Sequence, residues 1–146
     1  MPEKISPSAL LAPQGKGTYI LILRLAAPAA ITVGKLGTHR FDAGWYVYVG
    51  SAFGLGGLRG RLKHHLSPVR KPHWHIDYLR KYASVESVWA LAGETSLEHV
   101  WAAALARWPG AAIPVPRFGA SDCACRSHLI GFAAPPDLSA LAPRLG

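Results

Sequence analysis

Residues 45–66 read WYVYVGSAFGLGGLRGRLKHHL, and the periodicity of this stretch changes part-way along it. Trp45, Val47 and Val49 alternate with Tyr46 and Tyr48, the period-two pattern of a strand with two distinct faces. SAFGLGG (51–57) interrupts the alternation with a Gly-rich connection. LRGRLKHHL (58–66) then sets Leu58, Leu62 and Leu66 four apart, the apolar stripe of a short helix. A strand, a tight connection and a helix therefore follow one another without a linker. Working outward, GTYILILRL (17–25) is a second β-rich stretch, and ITVG (31–34) is expected to pair with it after the Pro-Ala-Ala turn. THRF (38–41) is a short extended piece, and Asp42-Ala43-Gly44 turns into the tyrosine strand.

Downstream, SPVRKP (67–72) breaks the chain, because a proline disfavours helix in the residue before it. HWHIDYLRKYA (73–83) predicts a second helix with Ile76, Leu79 and Tyr82 inward, and VESVWALA (85–92) a strand. A helix opening at Thr95 would carry Leu97, Val100, Trp101, Ala104, Leu105 and Trp108 on one face. SHLIGF (127–132) is a last strand. Strands and helices mix without strict βαβ alternation, which predicts the α+β class. Residues 1–16 read as a flexible arm, 17–132 as one domain and 133–146 as a Pro/Ala-rich tail.

Composition narrows the partner. The 146 residues are half hydrophobic, which excludes a disordered basic tail, and they carry a net charge of +8. No apolar run approaches the ~18 residues of a membrane span, and the N-terminal stretch lacks a secretory h-region, so a cytoplasmic location is expected. The charge is local: Arg59, Arg61, Lys63, Arg70, Lys71, Arg80 and Lys81 are opposed between Leu58 and Tyr82 only by Asp77. His64, His65, His73, His75, Trp74, Tyr78 and Tyr82 lie among them. Clustered cations with interleaved aromatics suit phosphate neutralisation and base stacking, although an acidic protein partner fits the same charges. Arg61 and His65 are one helical turn apart and share a face that can line a cleft with Tyr48; two exposed side chains is the plain alternative.

GTY (17–19), YVG (48–50), the Ser-Ala-plus-glycine connection and RLKHH (61–65), in this order, resemble the GIY-YIG nuclease superfamily. GSAFGLGGLRGRL (50–62), HWHIDYL (73–79) and SDCACRSHL (121–129) resemble more narrowly its Uri-type endonucleases, small bacterial and archaeal proteins sometimes joined to endonuclease III-type glycosylases. The resemblance spans about residues 15–132. It implies a small, mainly antiparallel central sheet flanked by helices, with a hairpin inserted between Tyr19 and Tyr48, a stretch longer than in typical members. It further implies an active site of Tyr19, Tyr48, Gly50, Arg61, His65 and Glu98, hydrolysis of DNA phosphodiesters with Mg²⁺ or Mn²⁺, RNA as the other polynucleotide substrate, and a DNA-repair protein as partner. The late Asn of typical members has no counterpart, because the chain contains no Asn. A catalytically silent nucleic-acid-binding module is the alternative.

The chemistry assigns roles under that resemblance. Hydrolysis needs an activated water, a stabiliser of phosphoryl charge and help for the leaving group. Glu98 would anchor the metal, since Mg²⁺ can be held by one carboxylate with water and phosphate oxygens. Arg61 would clamp a phosphate oxygen, Tyr19 orient the water, and Tyr48 and His65 position phosphate or relay a proton. Arg59, Lys63, His64, Arg70, Lys71, His73, His75 and Arg126 would bind the nucleic-acid backbone. Glu98 also ends a capping box, Thr95-Ser96-Leu97-Glu98, and Glu94 is then the substitute carboxylate. Cys123, Cys125 and His128 form half a zinc site at best, completed in space by His73 or His75; packing near the cleft and substrate contact are the competing roles. No Walker A loop, Rossmann fingerprint or nucleophile elbow is present.

Overall fold

A computed structural model of the protein describes residues 2–5, 12–120 and 125–145. The strands are β1 (Glu3–Ile5), β2 (Gly17–Leu25), β3 (Ala29–Thr32), β4 (Thr38–Phe41), β5 (Gly44–Ala52), β6 (Ser84–Ala92) and β7 (Leu129–Phe132). The helices are α1 (Gly57–Leu66), α2 (His75–Arg80), α3 (Glu98–Ala106) and α4 (Leu138–Leu145). The main sheet is antiparallel, with strand order β1-β6-β2-β5-β7, and β3 and β4 form a separate antiparallel hairpin. The fold is α+β.

Period-two alternation sorts the core into two layers. Tyr19, Leu21, Leu23 and Leu25 of β2 and Tyr46 and Tyr48 of β5 pack with Leu58 and Leu62 of α1 and Ile76 and Leu79 of α2. Ile20, Ile22, Val47 and Val49, from the opposite face of the same strands, pack with Trp101 and Leu105 of α3 and Leu138, Leu141 and Leu145 of α4. Both faces of the sheet are therefore covered by helices. The turn from β5 into α1 uses Gly56 at φ +86° and Gly57 at φ +57°, conformations open to glycine at little steric cost.

Three expectations are corrected. ITVG does not pair with β2: Ala29 faces Phe41 and Thr32 faces Thr38 across the β3–β4 hairpin. Both edges of β2 are already taken, by β5 and β6, so its ladder offers β3 nothing. The N-terminal segment is not all loose arm. Glu3–Ile5 covers the outer edge of β6, whose backbone groups would otherwise stay unpaired, and Ala12 is buried while Gly15 O accepts from Leu58 N at 2.9 Å. The last residues are not a tail either. Leu138, Leu141, Ala142 and Leu145 form a buried helical stripe, and Trp101 Nε1 donates to Leu145 O at 2.7 Å. Pro143 within α4 breaks the pattern by which a helix is read from sequence.

Gly50 gives a direct test of this packing. A Cβ at Gly50 would lie 2.4 Å from the Tyr19 ring and from its hydroxyl. Tyr19 is fully buried and cannot swing aside. Gly50→Ala is expected to lower unfolding free energy by about 1–3 kcal/mol, read as an earlier urea midpoint at unchanged slope.

Candidate active site

The β2–β5 register places the two tyrosines. Tyr19 lies opposite Gly50 and Leu21 opposite Tyr48, two rungs apart, so both rings emerge on the α1 face, with centroids 6.4 Å apart. Gly50 leaves the space that the Tyr19 ring occupies. Helix α1 crosses this face and brings His65 over it, with Nε2 2.7 Å from the Tyr19 hydroxyl and its ring 6.2 Å from that of Tyr48. One turn earlier, Arg61 Nη1 donates to Ser51 O at 3.0 Å, and its guanidinium sits 4.3 Å above the Trp74 ring. The side chain is thus fixed from two directions, with further N–H groups left to bind an anion.

Glu98 reaches the same place from the opposite layer. Helix α3 begins at Glu98, not at Thr95, with Leu97 as its N-cap and Leu97 N donating to Thr18 Oγ1 at 3.0 Å. The capping box therefore does not form. Instead the Ser51 hydroxyl donates a short hydrogen bond to Glu98 Oε2, and His128 Nδ1 lies 2.8 Å from Oε1. Ser51 is the hinge of the arrangement: its carbonyl holds Arg61 and its hydroxyl holds Glu98. Tyr19, Tyr48, Arg61, His65 and Glu98, drawn from two strands and two helices, converge at the end of β5. Glu94 is exposed on the loop before α3 and takes no part.

Electrostatics set the protonation states. Burial raises both phenols, and for Tyr19 the nearby Arg61 charge opposes the rise without overcoming it. Both tyrosines are therefore neutral hydroxyls at pH 7. Burial, reinforced by the Arg80 charge, pushes the His65 imidazole down to about 3. A neutral His65 accepts the Tyr19 proton at Nε2, and its Nδ1 has no hydrogen-bond partner among the described residues. Partial burial works against ionisation of Glu98, but hydrogen bonds from His128 and Ser51 outweigh it and hold the carboxyl below its usual range.

The neutral, buried His65 carries a stability consequence. In the unfolded chain a histidine binds its proton below about 6.5, in the folded chain His65 does so only near 3. Between these values the unfolded state binds more protons, so stability falls as pH falls from 6.5 toward 3. Asp77, whose carboxyl is held low by backbone N–H groups of Trp74 and His73 and by His64 despite burial, adds a loss in the same direction below its ordinary value of 3.8. His65→Gln, which keeps an acceptor for Tyr19, is expected to flatten the decline between pH 6.5 and 4 by on the order of 2–4 kcal/mol. Urea unfolding of both proteins across that range measures it.

The expected nucleic-acid contacts divide. Arg59, Lys63, Arg70, Lys71, His73 and Arg126 are exposed, although Arg59 Nε also donates to Ala12 O at 2.9 Å. His64 and His75 have internal partners: His64 Nε2 lies 3.1 Å from Asp77 Oδ1, and His75 Nδ1 accepts from Gly119 N at 2.8 Å. Asp77 also accepts from His73 N and Trp74 N, so it caps α2 through the backbone and does not pair with the His73 ring. Cys123 lies outside the described residues. Among the described residues neither His73 nor His75 joins Cys125 and His128 in a group of potential metal ligands; His99 does, with Nδ1 3.0 Å from Cys125 Sγ. Ser51 and His99 are the functional candidates that sequence reasoning missed. Ser51 stands in the Ser-Ala-plus-glycine connection quoted for the resemblance, which assigned it no role, and His99 is the neighbour of Glu98 with no periodic or motif signal of its own.

The profile of the family described as "Domain of unknown function DUF123" matches residues 18–144. The chain belongs to this family. The DUF123 match runs from β2 into α4, so it takes in every residue of the cluster and most of the C-terminal helix. β1 precedes it. No curated protein and no solved structure matches the chain. Among the described residues, no helix of this DUF123 protein is long and apolar enough to cross a membrane.

Proposed function

We propose that this DUF123 protein is a metal-dependent endonuclease of GIY-YIG type that hydrolyses phosphodiester bonds in nucleic acid, DNA first. The supporting observation is the convergence of Tyr19, Tyr48, Arg61, His65 and Glu98 around Ser51, with Arg61 and Glu98 held 3.0 Å and one short hydrogen bond from that residue. A guanidinium with unused donors and an ionised carboxylate flank two buried phenols. That is the donor set for a phosphoryl group and a hard cation, and it serves acyl or hydride transfer poorly.

Glu98 fits Mg²⁺ or Mn²⁺, because it is ionised, oxygen-only and partly open, and these ions need one or two carboxylates beside water and phosphate oxygens. When bound, such an ion supplies charge neutralisation at the phosphoryl oxygens and acidifies water. The chain's own residues do the rest. Arg61 grips a non-bridging oxygen in a fixed orientation. The Tyr19 oxygen, its own proton held by His65 Nε2, keeps a lone pair that orients the attacking water as a hydrogen-bond acceptor. The Tyr48 hydroxyl donates to the phosphate. Exposed Arg59, Lys63, Arg70 and Lys71 extend the positive surface beyond the cleft and hold the polynucleotide backbone.

The test is an assay on single-stranded DNA, double-stranded DNA and RNA, with Mg²⁺, with Mn²⁺ and with chelator. Cleavage of at least one DNA form that requires the metal is expected. Salt-sensitive binding without cutting of any substrate would overturn the nuclease reading and leave a nucleic-acid-binding module.

A further inference from the structure

Behind Glu98 lies a second constellation of different chemical character. His99, the next residue of α3, sits with Nδ1 3.0 Å from Cys125 Sγ, and its ring is 5.8 Å from that of His128. One ligand atom from each of His99, Cys125 and His128 lies within 4.8 Å of those of the other two. The three residues grade from exposed through intermediate to buried, so the group is anchored at one end and open to solvent at the other.

Two imidazoles and a thiol form a nitrogen–sulfur set. Tetrahedral zinc with bonds of about 2.0–2.1 Å to nitrogen and 2.3 Å to sulfur places such atoms about 3.3–3.6 Å apart, and all three ligand atoms lie within 4.8 Å of one another. The outer contact is also in place. His128 Nδ1 faces Glu98 Oε1 at 2.8 Å, so a carboxylate stands directly beside one ring of the set. A carboxylate behind a ligating histidine orients the ring and raises its basicity. Mg²⁺ has no use for a thiolate, so this set selects a borderline-soft ion.

We propose that His99, Cys125 and His128 bind one Zn²⁺ as a site separate from the carboxylate site at Glu98. Zinc here would tie the start of α3 to the segment entering β7, and through His128 it would fix the orientation of Glu98. The inference stands on the three ligands alone and does not depend on the nuclease reading.

The full-length protein, stripped of metal, is titrated with Co²⁺ and then Zn²⁺ in excess Mg²⁺ without nucleic acid. One equivalent of Co²⁺ should bind with a thiolate charge-transfer band and tetrahedral d–d bands, and Zn²⁺ should displace it. Cys125→Ser should abolish the charge-transfer band. His99→Ala, an exposed change that leaves the core intact, should weaken Zn²⁺ binding at least about 10-fold, and Glu98→Gln by about 10- to 100-fold as an outer-shell partner. No stoichiometric binding, or binding unchanged by both Cys125→Ser and His99→Ala, overturns the site. Cleavage assays report separately on the other reading: zinc binding without cleavage removes only the nuclease, and cleavage without zinc binding removes only this site.

Discussion

Arg61→Ala is expected to lower metal-dependent cleavage by about 10³-fold or more while the chain stays folded. Removal of an arginine that stabilises a phosphoryl transition state costs about 10³–10⁵ in rate, and a single preorganised donor about 10²–10³. Arg61 belongs at the upper end of the second range because it is preorganised twice, by Ser51 O and by the Trp74 face. The structural cost is small by comparison. One hydrogen bond to a carbonyl and one cation–π contact amount to about 1–3 kcal/mol, which a folded domain of this size tolerates. Arg61→Lys should recover only part of the rate, since an ammonium cannot hold Ser51 O, lie flat on Trp74 and present paired donors together. kcat/KM for both variants, with thermal unfolding as control, decides the matter. Cleavage by Arg61→Ala within 10-fold of the parent would take Arg61 out of the site.

Which parts of this arrangement can be read from a single sequence follows from the range of the interactions involved. Strand parity is local, and so is the four-residue spacing of Leu58, Leu62 and Leu66; both hold, with Leu58 and Leu62 fully buried and Leu66 packed at the margin. Arg61 and His65 share a helix face for the same reason. That Tyr19 and Tyr48 meet, however, depends on a register that pairs Tyr19 with Gly50, and register is a property of two strands. The role of Glu98 was harder still. Its capping-box spacing is a local signal, and it loses to a tertiary one, because Leu97 takes the N-cap position and Thr18, 79 residues away in sequence, supplies the bond to Leu97 N. The freed carboxylate turns to Ser51 and His128. The exposed or internal fate of the basic window is likewise tertiary: Asp77 draws in His64, and Gly119 N draws in His75, whereas their neighbours Lys63 and His73 remain outside. At the two chain ends the missing information was the edge of β6 and the exposed side of α3, surfaces that exist only once the sheet has formed.

Glu98→Gln separates the remaining readings of that residue, and it is expected to abolish detectable cleavage, a loss of at least about 10³-fold, at little cost in stability. Glutamine keeps the length and planarity of the side chain and can still accept from either Ser51 Oγ or His128 Nδ1, although its NH₂ cannot accept from the other. It removes the charge on which a hard cation depends. Glutamine also serves in a capping box, so a Glu98 that acted only as a helix cap would survive this change with cleavage intact. Glu98→Ala is the less informative variant. It strands a buried His128 Nδ1 without its carboxylate, a defect of about 1–3 kcal/mol, and mixes a folding effect with a catalytic one. The pH profile supplies an independent readout. Because Ser51 and His128 hold the Glu98 carboxyl below its usual range, the anion persists as pH falls through the ordinary glutamate value, and the Glu98 contribution to the acid limb of cleavage should lie below 4.5. Ser51→Ala removes one of those two hydrogen bonds and should move that contribution upward, toward the ordinary value. A limb that stays put in Ser51→Ala, together with cleavage by Glu98→Gln, would leave the carboxylate a structural tie between α3 and β5.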